Sequence, residues 1–429
     1  MLVATQRFTA LFAGVFAILT GYGLTASLIS LNLGARGLGP WVGVVGAAYF
    51  VGLGLGSLRA ERVIADVGYL RAYGMLTATA CLGVLAVALF EHPLAWALAR
   101  CVQGVALGGL FVCIESWMGS SSEASSRGGL LAVYQVVIYL GLLLGQALLG
   151  SLASDIPRAM VVAAMALCVA ALPVGAIRQE PPRIIVMPRL RLGELWGWAS
   201  IGVAGSFVSG VTTGAVYTVA PAAGVDAGLT DGQVGWLMSA FIGGGMLFQL
   251  PLGRASDTFD RRVVLGGVAL LAAVGGILSM ITVGSPTSLI AVAAVQGAGI
   301  FAIYTISLAY TYDRVPDERI VSANATLLAV FCIGSGVGSV GSSTALDLAG
   351  ALGFFVVLAL PSAALAVMAF RAARLYDPLP DDQQSEAHLV PRTSPALVEF
   401  DPRVDLVVAS GVEVSDADDD RAPRAVGEE

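Results

Sequence analysis

A lone arginine inside an apolar run is the first residue with chemistry to explain. Arg100 stands in Arg100-Cys101-Val102-Gln103-Gly104, within a stretch long and apolar enough to cross a bilayer as a helix. A charge inside a membrane helix costs at least about 2.5–3.5 kcal/mol and usually serves an ion pathway, a substrate contact or coupling. Its competing reading is snorkelling, since it lies about two turns from the outer end of its span. Gln103 joins it as a candidate for coupling or substrate orientation. Glu115 follows about 22 Å further along the helix, too far for a direct pair. It reads as a proton or cation site near the inner mouth, or as an interfacial acid.

Uncharged polar side chains recur in other spans. Gln135, Tyr139 and Gln146, with Leu142, step along one helical face, and such a stripe is expected to face protein or a water-filled cavity. Tyr22, Asn32, Tyr217, Gln249, Tyr304 and Asn324 could add donors and acceptors. Amides and phenols with few charges suit a neutral, hydroxylated or mixed polar–aromatic substrate. The plainer reading of any one of them is a hydrogen bond between helices.

Several chemistries drop out on composition. The chain has no lysine, so neither a P-loop nor a Schiff base is available. His92 falls in an outer loop and His388 in the tail, and span 1 carries no acid, which removes a histidine relay or a span-1 carboxylate as the proton path. The five cysteines all fall within spans and read as buried thiols, with no zinc or disulfide spacing. Gly336-Val337-Gly338-Ser339-Val340-Gly341 mimics a dinucleotide loop but lies inside a span with no strand before it. Asp313, beside Arg314, reads as a loop residue.

The elements that must position these groups are membrane helices. With 57% hydrophobic and 12% charged residues, the chain is no ordinary soluble domain. Twelve apolar blocks follow one another, near 8–32, 41–58, 72–90, 94–118, 129–152, 159–177, 196–220, 233–252, 263–283, 287–311, 320–345 and 351–370. Loop arginines fall on one side, with only Arg36 and Arg158 on the other, so both termini are expected in the cytoplasm. The first span is too long and too weakly charged at its start for a cleaved signal, and reads as retained. Residues 1–178 and 195–374 are expected as two six-helix bundles, 179–194 as a cytoplasmic linker, and 375–429 as a disordered acidic tail.

The bundles repeat each other. Val102-Gln103-Gly104 recurs as Val295-Gln296-Gly297 at an offset of 193, Leu130-Leu131-Ala132-Val133 as Leu327-Leu328-Ala329-Val330 at 197, and Val42-Gly43 as Val234-Gly235 at 192. A steady offset means two parallel halves, an arrangement that places a site at their junction. The loop Gly253-Arg254-Ala255-Ser256-Asp257-Thr258-Phe259-Asp260-Arg261-Arg262, together with Arg100-Cys101-Val102-Gln103-Gly104, resembles the loop signature and the R-x-x-Q-G helix-4 element of the major facilitator superfamily. The resemblance implies a gate formed by Gly253, Asp257, Arg261 and Arg262, the arginines bridging to the opposite half when the cytoplasmic side closes. The equivalent loop after span 2 keeps only Gly68 and displaced charges. Gly141 to Gly150 looks like the helix-5 antiporter element of that superfamily, with Gln146 in place of its proline.

The expected fold is therefore an all-α membrane protein of twelve transmembrane helices in two parallel, pseudo-symmetric six-helix bundles. The resemblance implies a secondary carrier of a small organic solute in a prokaryotic cytoplasmic membrane. It would work as a monomer without a cofactor or nucleic acid, exporting a sugar-like or amphipathic compound in exchange for protons. A uniporter or importer is the near alternative, and a non-transporting sensor or assembly partner the distant one. No nucleophile–base pair or metal cluster supports an enzyme.

Overall fold

The computed structural model describes residues 8–120, 127–175, 190–316 and 319–375. Among them the chain forms α1 (Thr9–Ala35), α2 (Gly39–Val67), α3 (Tyr69–Leu89), α4 (Pro93–Ser120), α5 (Arg127–Leu152), α6 (Ile156–Gly175), α7 (Leu192–Asp226), α8 (Asp231–Thr258), α9 (Arg261–Thr282) and α10 (Pro286–Tyr312). A last helical element, Ile320–Leu375, has 56 residues. Straight, it would extend about 84 Å, nearly three hydrocarbon cores. It breaks at Ala349 and at Gly350, whose φ of 60° suits glycine, and the Ala351 amide donates to Asp226 Oδ2 at 2.6 Å to restart the helix. Thr326 bonds Leu190 O near one end and Ala372 O accepts from Arg262 near the other, so the two arms return to the same face. The arms are α11 (320–348) and α12 (351–375), so the described residues hold twelve helices long and apolar enough to cross a membrane.

Local chemistry sets the starts. Proline opens α2 and α10, where a missing N–H costs nothing. Thr230 and Gln233 form a reciprocal cap on α8, and the Asp260 carboxylate caps α9 by accepting from the Arg262 amide at 2.8 Å. The outer girdle is apolar and exposed, as at Leu82 (65%) and Ile281 (73%), which only lipid can cover.

The repeat in sequence is a repeat in contact. In the first half α1 packs on α5 and α6, α2 on α4, and α3 on α4 and α6; in the second, α7 packs on α11, α8 on α10, and α9 on α10 and α12. The same glycines make the same approaches. A methyl on Gly104 would strike the Tyr49 carbonyl, and one on Gly297 the Phe241 carbonyl. Gly141 and Gly145 of α5 lie on Phe16 and Thr20 of α1, as Gly334 and Gly338 of α11 lie on Phe207 and Val211 of α7. Without a hydrophobic drive between helices in lipid, such close backbone packing is what holds a membrane bundle.

The halves meet through α2 with α11, α5 with α8, and α1 with α7, pairs that exchange under the pseudo-twofold. At the face away from the chain ends the contact is backbone-close. Gly43 abuts Ser339 and Val340, Gly150 abuts Gly232, and Ser30 Oγ accepts from the Ala222 amide at 3.3 Å. The expected linker falls mostly, and the acidic tail almost wholly, outside the described residues.

Candidate substrate cavity and its flanking charges

Between the halves lies a cavity of about 730 Å³, counting the space open at its mouth. Its walls come from α1, α2, α4 and α5 on one side and α7, α8, α10 and α11 on the other, leaving α3, α6, α9 and α12 outside. Eight of its fifteen lining side chains are aromatic. Five rings form a chain around it: Tyr49 to Tyr22 at 5.0 Å, Tyr22 to Tyr217 at 6.2 Å, Tyr217 to Phe301 at 5.8 Å and Phe301 to Tyr139 at 6.4 Å. These centroid spacings are those of edge and tilted pairs, which leave ring faces to meet a guest.

The polar part of the lining is one cross-half cluster. Gln249 Oε1 on α8 accepts from Tyr139 Oη at 2.7 Å and from Gln135 Nε2 at 3.3 Å, both on α5, while Gln249 Nε2 donates to Thr305 Oγ1 at 3.4 Å. Gln135 Oε1 is buried with no partner among the described residues. Gln135, Tyr139, Gln249, Tyr22 and Tyr217 therefore gather where the stripe and its companions were expected to converge.

Other expected lining residues sit elsewhere. Gln146 turns into α1, accepting from Ser27 Oγ at 2.9 Å and donating to Gly23 O at 3.1 Å, and so serves helix packing. Tyr304 is buried behind the wall, its ring 5.3 Å from that of Phe331. Asn324 is buried near the start of α11, and Asn32 belongs to a separate pocket at the far face with Asp226, Asp231 and Asp347.

Arg100 does not snorkel. It is 2% exposed, with its guanidinium 4.5 Å from the Tyr49 ring centre and 5.6 Å from that of Tyr22, and it donates to Gln103 Oε1. Those rings line the cavity and Arg100 does not, so Arg100 stands one layer behind the wall. Such cation–ring contacts in a desolvated site are worth about 2 kcal/mol or more and replace part of the lost hydration. Glu115 is fully buried at the other end of α4, and its Oε1 accepts from Tyr134 Oη at 2.7 Å.

The sequence profile of the Major Facilitator Superfamily matches residues 202–410. An MFS-type transporter of Yersinia enterocolitica is 31% identical over 335 residues, covering 76% of this chain and 85% of that protein. The chain belongs to the major facilitator superfamily. The superfamily relative YcaD of Escherichia fergusonii is 27% identical over 350 residues, covering 79% and 88%. Among solved structures, a D-xylose–proton symporter superposes with a TM-score of 0.68 at 14% identity, covering 88% of this chain and 99% of that one. The nucleoside transporter NupG gives 0.65 at 14%, covering 85% and 99%. Such likenesses carry the fold; the family and its relatives are transporters, not enzymes.

The superfamily loop signature folds into a charge cluster within the second half. Arg261 Nε lies 2.7 Å from Asp313 Oδ2 and its NH2 3.8 Å from Asp257 Oδ1, while Arg262 chelates Asp260 (2.7 and 3.0 Å) and donates to Ala372 O at 3.2 Å. Both arginines are buried, and Gly253 lies buried on α8 just before them. In this conformation these contacts join α8, α9, α10 and α12 rather than the two halves. Asp313, read from sequence as a loop acid, is a 2% exposed partner of Arg261. Burial raises the Asp260 carboxyl, and the hydrogen bonds from Arg262 more than offset that, holding it below the ordinary carboxylate range.

Sequence reasoning passed over Tyr49, Phe111, Phe301 and Tyr134. Tyr49 carried a usable signal, a phenol in the middle of the glycine-rich α2. Phe111 and Phe301 carried none, because an aromatic in an apolar span reads as lipid-facing or core until its neighbours are known.

Proposed function

We propose that this protein is a secondary active carrier that exports a small amphipathic compound across a prokaryotic cytoplasmic membrane in exchange for protons, by alternating access, with both termini in the cytoplasm. One observation carries the reading: a mid-span cavity walled by four helices from each half, with the halves closed backbone to backbone on one face only by small residues. Contacts of that kind can part when two rigid lobes rock, because little side-chain interlocking must be undone. A single chain supplies both walls, so a monomer suffices. The lining favours an amphipathic guest over a sugar, since aromatic carbon outweighs the polar floor of Gln135, Tyr139 and Gln249. Glu115, buried and hydrogen-bonded on α4, is the proton carrier in this reading, and Arg261, Arg262, Asp257 and Gly253 form the cytoplasmic gate. The test is flux in proteoliposomes against pools of amphipathic and sugar compounds. Accumulation that requires an imposed pH gradient supports the reading, and equal flux with and without the gradient overturns exchange.

A further inference from the structure

Arg100 is a buried cation that no carboxylate pairs with among the described residues. Its contacts are the rings of Tyr49 and Tyr22, the Tyr22 hydroxyl and the amide oxygen of Gln103, whose own Nε2 is left without a partner. Bundle packing does not require a charge at this place. The residue related to Arg100 by the 193-residue repeat is Ala293, equally buried, at the same position of the second half's α10. There the glutamine equivalent to Gln103, Gln296, is satisfied within its bundle by Ser279 Oγ and Ala272 O. The charge is therefore an addition to one half of an otherwise repeated framework, facing the cavity across the rings of Tyr22 and Tyr49.

The fifteen residues lining that cavity include no charged side chain; Arg100 lies directly on two of them, Tyr22 and Tyr49, while Glu115, one turn from Phe111 on α4, is bonded to Tyr134 Oη. An acid group seated against the two rings would lie roughly 8 Å from the guanidinium. At an effective dielectric constant of about 20, Coulomb's law then favours the anion over a neutral isostere by about thirtyfold, and disfavours a cation by as much. The rest of the lining fits a flat apolar body. Tyr217, Phe301 and Tyr139 continue the chain of rings away from Arg100, and Gln135 Oε1 offers an acceptor at the polar end.

We infer that the substrate is an aromatic organic anion, its carboxylate or equivalent acid held beneath Arg100 against Tyr22 and Tyr49 and its ring system among Tyr217, Phe301 and Tyr139. This deepens the carrier reading and rests on it only for the word substrate; binding can be measured without a gradient. The experiment measures binding of 1-naphthoate, 1-naphthamide and 1-naphthylmethylammonium to the full chain in nanodiscs, by quenching of intrinsic fluorescence and by shift of the melting temperature. The expected result is naphthoate binding at least tenfold tighter than the amide, with the ammonium compound weakest. In Arg100→Gln the acid and the amide should fall within threefold of each other, while Arg100→Lys keeps the order. Equal binding of acid and amide by the natural protein overturns the proposal, as does failure of naphthoate to bind. Survival of the acid preference in Arg100→Gln overturns it too, and the comparison on the natural protein stands even if that variant does not fold. An anion preference without proton-driven flux would sink the exchange reading and leave this one intact; flux of neutral compounds alone would do the reverse.

Discussion

Replacing Arg100 by methionine removes a charge that the fold keeps at a cost. A buried ionic group exchanged for an apolar one of similar length is often neutral or stabilising. The expectation is that Arg100→Met inserts normally and melts at or above the temperature of the natural protein, while flux falls at least tenfold. Detergent melting curves beside liposome flux check both halves of that statement; retained flux would remove Arg100 from the mechanism. Glu115 allows a second test. If it carries the exchanged proton, Glu115→Gln, which keeps an acceptor for Tyr134 Oη, should abolish pH-gradient-driven accumulation while substrate binding changes less than threefold. Counterflow at equal pH should survive in the same variant.

Helices impose their own constraints, and the paired glycines state them most clearly. Gly104 and Gly297 each face a carbonyl of the neighbouring helix with no room for a methyl group. Gly104→Leu and Gly297→Leu should each cost at least about 1–3 kcal/mol of bundle stability by overpacking. The two losses should be similar because the contacts are repeats, and melting in detergent measures them. At the turn between α8 and α9, Asp260 titrates below the ordinary carboxylate range because Arg262 holds its ionised form. A depressed folded value means stability that is full above the unfolded value of about 3.9 and lost as pH falls through the folded one. Asp260→Asn should flatten that acid-side loss of melting temperature; an unchanged profile would show that the cap on α9 does not set it.

For the whole molecule, alternating access requires that the closed face open. Gly150 on α5 and Gly232 on α8 touch across the halves at that face, close enough for a disulfide once both are cysteine. The double variant Gly150→Cys, Gly232→Cys should cross-link on oxidation and stop flux, and reduction should restore it. Full flux in the cross-linked protein would exclude opening at this face. Among the native cysteines Cys168 is exposed and its Sγ lies 3.4 Å from that of Cys81, so the double variant is built on a Cys81→Ser, Cys168→Ser background.

Span number, the repeat and the family were legible in the chain, because hydrophobic length and a fixed offset survive without knowledge of contacts. The last two apolar blocks, 320–345 and 351–370, were separated for the same reason, and the structure places the break between them at Ala349 and Gly350. Helical spacing put Gln135, Tyr139 and Gln146 on one stripe; the first two line the cavity and Gln146 bonds α1, since period alone does not tell a cavity from a neighbouring helix. Asp313 looked like a loop acid because sequence proximity to Arg314 hid its spatial partner Arg261. What only the tertiary structure decided is the setting of Arg100. Its depth, its two tyrosines and the lack of a paired carboxylate among the described residues are relations among α1, α2 and α4, and no segment of the chain holds them alone. Charge is a property of a residue; whether that charge is compensated is a property of the packed interior.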